Sequence, residues 1–204
     1  MTDKEFRELT KSFDDIQEII VQKNLLKKEE GKLRRKLASL ESKYSFLKDL
    51  VAIKGNSDKT SEAIKKYFKE LGLKIEIVPE KFGVEDLRLW FENKLVIIET
   101  TGTEKSDNSE NKAHQISKHI PIRKQEYPNL EVYGLFISNH DNRKPFNERK
   151  EKSFSKRVNE ISESHAYTVT TTTNLLKAFL SIKNGDLTIS ELIEKLCATG
   201  EFKI

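Results

Sequence analysis

The sequence predicts an α/β protein, with a central mixed sheet flanked by helices and a long helical arm in front of it. Three observations carry this. Residues 1–53 contain no proline and one glycine, Gly31, and their apolar residues recur at steps of three and four. Residues 87–99 form two arms rich in β-formers around one turn-like pair, Glu92-Asn93. After residue 57, helix-like and strand-like segments alternate, as in a sheet with helices on its faces.

The arm, residues 1–53, comes first. Phe6, Leu9, Phe13, Ile16 and Ile20 make one apolar run, and Leu33, Leu37, Leu40, Tyr44, Leu47 and Val51 make a second. The phase shifts between them, across Lys27–Gly31, so the seam is discontinuous there, or the helix bends or folds into a hairpin. A narrow stripe flanked by Lys, Arg and Glu suits a coiled coil that joins copies of the chain or docks a partner protein. The competing reading packs the helix along its own domain.

In residues 57–204, a helix over Glu62–Leu71 stops at Gly72, and Ile75–Val78 is a short strand. The hairpin follows. Asn108 to about His119 is a helix ended by Pro121, and Leu130–Ser138 is a buried strand. His140–Lys152 reads as a polar loop whose Arg143, Lys144, Arg149 and Lys150 are either solvated or face a phosphate backbone. A helix from Phe154, a β-rich stretch over 166–173 and helices over 174–182 and 189–196 close the chain.

Composition narrows the function. The 204 residues allow one core plus an appendage, and 34% charged against 36% hydrophobic residues means a solvated segment dilutes that core. A net charge of +4 permits nucleic acid as a partner. Cys197 is the only cysteine, which excludes an internal disulfide and a thiolate zinc site and points to a reducing, cytoplasmic setting. The N-terminal residues lack the apolar core of a signal peptide, and no apolar run approaches the roughly 20 residues of a membrane span. Gly102, Gly134 and Gly185 are isolated, so no phosphate-cradling loop is present. His114, His119, His140 and His165 have no zinc spacing and read as surface or capping residues.

Asp86 and Glu99 carry the most chemistry. If Glu92-Asn93 is the turn, Phe91 opposes Lys94, and counting outward Asp86 opposes Glu99. Directly opposed side chains have Cβ atoms about 5 Å apart, so both acids ionise only with a cation between them. A divalent metal site is one reading. The other is an acid at each end of a surface hairpin, and a one-residue slip would move Glu99 to the other face.

Glu62 lies in a helix ending Glu70-Leu71-Gly72, and Asp86 immediately precedes a strand. Glu99-Thr100-Thr101-Gly102 follows Leu95-Val96-Ile97-Ile98, and Gln115 lies on the next helix. With these features, and with Pro145–Phe154 and Thr168–Leu175, residues 57–204 resemble the PD-(D/E)XK superfamily of restriction-endonuclease-like nucleases, in particular Mrr-like and defence-associated members. The resemblance implies a restriction-endonuclease-like mixed sheet and Mg²⁺- or Mn²⁺-dependent hydrolysis of nucleic acid, DNA above all. It implies that Glu62, Asp86 and Glu99 hold the metal and that Gln115 sits at the pocket edge. The sequence departs from the pattern at Thr101, where the family has its catalytic lysine. A threonine offers a hydroxyl but no positive charge. Lys105 and Lys112 are the nearest substitutes. Two expectations follow: a nuclease weakened by the missing lysine, or an inactive nuclease-fold module that binds nucleic acid or protein and dimerises through the arm.

Overall fold

The computed structural model describes residues 2–52, 57–79, 85–104, 110–149 and 154–204, and its contacts divide the chain into two units, Met1–Ser45 and Phe46–Ile204.

The first unit is helix α1, Asp3–Lys43. It runs unbroken through Gly31, so the phase shift does not make a hairpin. The space a Gly31 Cβ would fill is open, and a glycine in an exposed helix costs only about 1 kcal/mol. Ile16, Ile19, Leu26, Leu33, Leu37 and Leu40 are all exposed. The unit boundary lies at Ser45/Phe46, earlier than the residue 53 read from the apolar pattern. The reason is α2 (Ser45–Ala52), whose Phe46 and Leu50 are buried, with the Phe46 ring edge-on to Phe179 at 5.4 Å.

The second unit is a mixed sheet between helices. Its elements are α3 (Ser57–Glu70), β1 (Lys74–Ile77), β2 (Leu87–Phe91), β3 (Lys94–Gly102), α4 (Glu110–Glu126), β4 (Glu131–Asn139), α5 (Lys156–Ser164), β5 (Thr168–Thr171), α6 (Thr172–Asn184), α7 (Ile189–Leu196) and β6 (Gly200–Glu201). The strands lie side by side in chain order. The pairings β1–β2 and β2–β3 are antiparallel, and those from β3 to β6 are parallel. The hairpin has the counted register, Phe91↔Lys94 through Leu87↔Ile98, so no slip occurs. Burial of both faces of β3 enforces this, because a slip would exchange its two apolar sets.

Two elements differ from the sequence reading. Helix α4 continues through Pro121 to Glu126, because Ile120 and Arg123 are both buried and hold the last turns in place. Helix α6 starts at Thr172, two residues before the 174 read from sequence, because the Thr171 hydroxyl accepts the Asn174 amide at 3.1 Å and caps it. Strand β6, two residues long, had no readable sequence pattern.

The two faces of β3 set up the site. Leu95 and Ile97 join Ala113, Ile116 and Ile120 of α4 in one core cluster. Thr100, of opposite parity, meets Ser61 of α3, the two hydroxyls 2.8 Å apart. Glu99 therefore points toward α4.

Candidate functional site

Glu99 sits on β3 one residue past the pairing with β2, which ends at Leu87↔Ile98, and opposite Phe136 of β4. Its side chain is 2% exposed. Asp86 lies just before β2, and its amide donates to the Ile98 carbonyl at 3.0 Å. Asp86 Oδ2 accepts from the Thr100 amide at 2.7 Å and from the Thr100 hydroxyl at 2.8 Å, which fixes the carboxylate against the end of β3. Its other oxygen faces Lys112.

Lys112, in the first turn of α4, bridges the two acids. Its ammonium is 3.1 Å from Glu99 Oε2 and 3.9 Å from Asp86 Oδ1. Two turns further along α4, His119 Nε2 lies 3.6 Å from Glu99 Oε1. One face of one helix thus supplies an ammonium and an imidazole to the same carboxylate. Burial pushes the Glu99 carboxyl up to about 7, and the Asp86 charge adds to this, while Lys112 opposes it. Burial also pulls His119 below the usual histidine range.

A second set of charges lies beneath. Glu85 is fully buried and accepts from Arg123 Nε at 2.9 and 3.0 Å and from Arg88 Nε at 2.5 Å. Arg123 also pairs with Glu126. Burial disfavours the Arg123 charge, but the carboxylates of Glu126 and Glu85 outweigh it and hold the guanidinium above its ordinary value.

The expected site residues separate as follows. Asp86, Glu99 and Lys112 come together. Thr101 shares the Glu99 face by parity and is half-buried. Gln115 is exposed on α4, and His119, read from sequence as a surface or capping residue, is the α4 side chain beside Glu99. Glu62 is not brought to the pair. The buried face of α3 is Thr60, Ser61, Ala63, Ile64, Tyr67 and Phe68, which leaves Glu62 facing outward, 3.7 Å from Lys65. Among the described residues, no three His, Cys, Asp or Glu side chains are grouped so as to hold a metal. Lys105 and Lys150 lie outside the described residues.

The polar segment after β4 is less free than its sequence suggested. Arg143 pairs with Glu104 at 2.5 Å and Lys144 with Asp141 at 3.1 Å. Arg149 reaches inward to Asn139 Oδ1 at 2.9 Å and to the Val51 carbonyl. His140 is buried, against the surface role read for it. Glu85 and Arg123 were missed, because a Glu-Asp pair and a lysine-arginine-rich helix end carry no sign of burial.

No family model and no curated protein matches the chain. Solved structures do. The restriction endonuclease FokI superposes with a TM-score of 0.53 at 18% identity, covering 74% of this chain and 29% of that one. FokI bound to DNA superposes with a TM-score of 0.55 at 17% identity, covering 78% and 30%. The fold is restriction-endonuclease-like. The chain spans less than a third of the FokI chains it matches, and at this identity the likeness speaks for the fold alone. Within that fold, Asp86 and Glu99 stand at the end of the central hairpin, under the N-terminal turn of α4.

Proposed function

We propose that the second unit is a metal-dependent nuclease that hydrolyses phosphodiester bonds in DNA, with Lys112 standing in for the lysine absent at Thr101. The observation that carries this is the single ammonium shared by two carboxylates from adjacent strand ends. In the family resembled, that constellation of two acids and a cation does the chemistry.

The donor set suits Mg²⁺ or Mn²⁺. Both ligands are hard carboxylate oxygens, and Mg²⁺ needs only one or two carboxylates because it keeps several waters. Burial first, and the Asp86 charge second, raise the Glu99 carboxyl, and a divalent cation at the pair would offset both. When bound, such a cation supplies positive charge at the phosphate and acidifies water. The remaining work belongs to the chain. Asp86 and Glu99 hold the cation, and Thr100 keeps Asp86 oriented. Lys112 sets a fixed positive charge where negative charge develops on the phosphate. Thr101 offers a hydroxyl on the same face. Glu62 would join only by a change of helix face, so the proposal rests on two acids.

The experiment is cleavage of supercoiled plasmid DNA with Mg²⁺ or Mn²⁺, with Asp86→Ala as control. Metal-dependent nicking lost in the variant supports the reading. The threonine at position 101 favours a second reading, a nuclease fold that binds nucleic acid or protein without cutting. Binding without cleavage under either metal would establish that one. In both readings the arm is an association surface, for another copy or a partner protein.

A further inference from the structure

Helix α1 leaves an apolar seam in water. Ile16, Ile19, Leu26, Leu33, Leu37 and Leu40 are exposed, Leu26 by 65% and Leu33 by 67%. Their spacing follows one heptad register, with 16, 23, 30 and 37 in one column and 19, 26, 33 and 40 in the other. Two seam positions are charged, Lys23 and Glu30. A seam this long and this exposed marks an interaction surface.

Charge along the same helix says what covers it. Residues 3–18 carry six acids and three bases, a net −3, whereas residues 23–43 carry eight bases and three acids, a net +5. Side by side in parallel, two such helices would set acidic half on acidic half and basic half on basic half. Parallel pairing would also oppose Lys23 to its own counterpart and Glu30 to its own, inside the seam. Head to tail, each acidic half meets a basic half, and Glu30 is carried from its own counterpart to the level of Ile16; Lys23, at the midpoint of α1, stays near its own, so one like-charge seam pair replaces two.

Resting on the reading of the arm as an association surface, we propose that α1 pairs with α1 of a second copy in antiparallel orientation. One feature pulls the other way. Glu29 with Arg34, and Lys36 with Glu41, have the spacing that flanking pairs of a parallel coil use. Those pairs stay in water and are screened, whereas the seam charges lose their water on association, so the seam decides. The arrangement holds the two Lys43 residues, where each chain leaves α1, at opposite ends of the paired helices. A parallel pair would bring them together.

The test uses the full chain. In a Cys197→Ala background, Ser42→Cys carries a spin label, and pulsed dipolar spectroscopy reads the distance between the two copies. Full antiparallel overlap places the labels roughly 50–60 Å apart at 1.5 Å per residue, whereas parallel pairing holds them within about 30 Å. Light scattering should give twice 23.7 kDa. Added salt should weaken the dimer, because it screens attraction between unlike halves; a parallel dimer would tighten instead. The triple reversal Arg34→Glu, Arg35→Glu, Lys36→Glu should weaken dimerisation at least tenfold, and Leu26→Asp with Leu33→Asp should abolish it. A short label distance or salt-strengthened association overturns the orientation alone. A monomeric wild type, or a dimer untouched by the leucine variants, overturns the arm as well. A monomer whose DNA binding falls on triple reversal would make the basic half a nucleic-acid contact and end the proposal.

Discussion

Lys112 Nζ lies 3.1 Å from Glu99 Oε2, joining the first turn of α4 to the central strand β3. If this ammonium supplies the charge missing at Thr101, Lys112→Ala should slow DNA cleavage by about 10²- to 10³-fold at saturating metal. It should also tighten Mn²⁺ binding, measured calorimetrically, because an ammonium competing for the same carboxylates is gone. Unchanged cleavage with unchanged metal affinity would remove Lys112 from the site.

Thr101 and Glu99 share a face, so a lysine at 101 can reach the same phosphate. Thr101→Lys should raise the cleavage rate, and it should rescue Lys112→Ala. A rescued double variant would show that the position of the positive charge is interchangeable. Failure of rescue, with the fold intact by circular dichroism, would mean that geometry matters as much as charge.

The raised Glu99 carboxyl makes stability depend on pH in a definite direction. Its folded value, about 7, lies above the ordinary 4.5, so the folded state binds the extra proton between them. The contribution is fully present below about pH 4.5 and is lost as pH rises through 7, at a cost of about 3 kcal/mol. In the presence of a chelator, the wild type should therefore lose stability relative to Glu99→Gln between pH 5 and 8. Mg²⁺ or Mn²⁺ at pH 8 should restore it in the wild type only. Parallel melting curves for the two proteins across this range would count against a buried, strained Glu99.

Arg123 is 5% exposed, and its partner Glu85 is fully buried. Arg123→Met would leave the buried Glu85 with Arg88 alone of its guanidinium partners Arg88 and Arg123, so it should destabilise by about 3 kcal/mol, the low end for breaking a buried pair. Adding Glu85→Gln should recover much of this. Urea unfolding of the single and double variants measures both. Additive losses would show that the two side chains are not coupled.

Gly134 on β4 has no room for a side chain. A Cβ there would stand 2.7 Å from Ile120 Cδ1 and 2.9 Å from Tyr167 Cβ. Gly134→Ala should cost about 1–3 kcal/mol through overpacking between β4 and α4. An unchanged melting temperature would mean that the α4 contact gives way freely.

Local pattern alone determined much of this protein. Alternation on both sides of Glu92-Asn93 set the hairpin and its register. The narrow apolar stripe set the long helix α1, and the segment order set a mixed sheet between helices. The pair Asp86 and Glu99 followed from counting along that hairpin, with Lys112 as one of two lysines in reach. Each of these is a property of residues near one another in the chain.

Tertiary structure decided what lies across elements. The phase of α3 on the sheet turned Glu62 outward and Ser61 inward, a rotation that the apolar pattern of one helix fixes only to within a residue or so. Packing of Ile120 and Arg123 carried α4 past Pro121, and that extension placed Arg123 beside Glu85; the phase of α4 on the sheet placed His119 beside Glu99. Burial gave Glu99 its raised carboxyl, since desolvation depends on neighbours brought from α4 and β4. Phe46 joined the second unit because its ring meets Phe179, more than a hundred residues away, and Leu50 is buried on the same short helix. Sequence periodicity reports which face of an element is apolar; only the assembled sheet and helices set which faces meet and how much water remains between the charges.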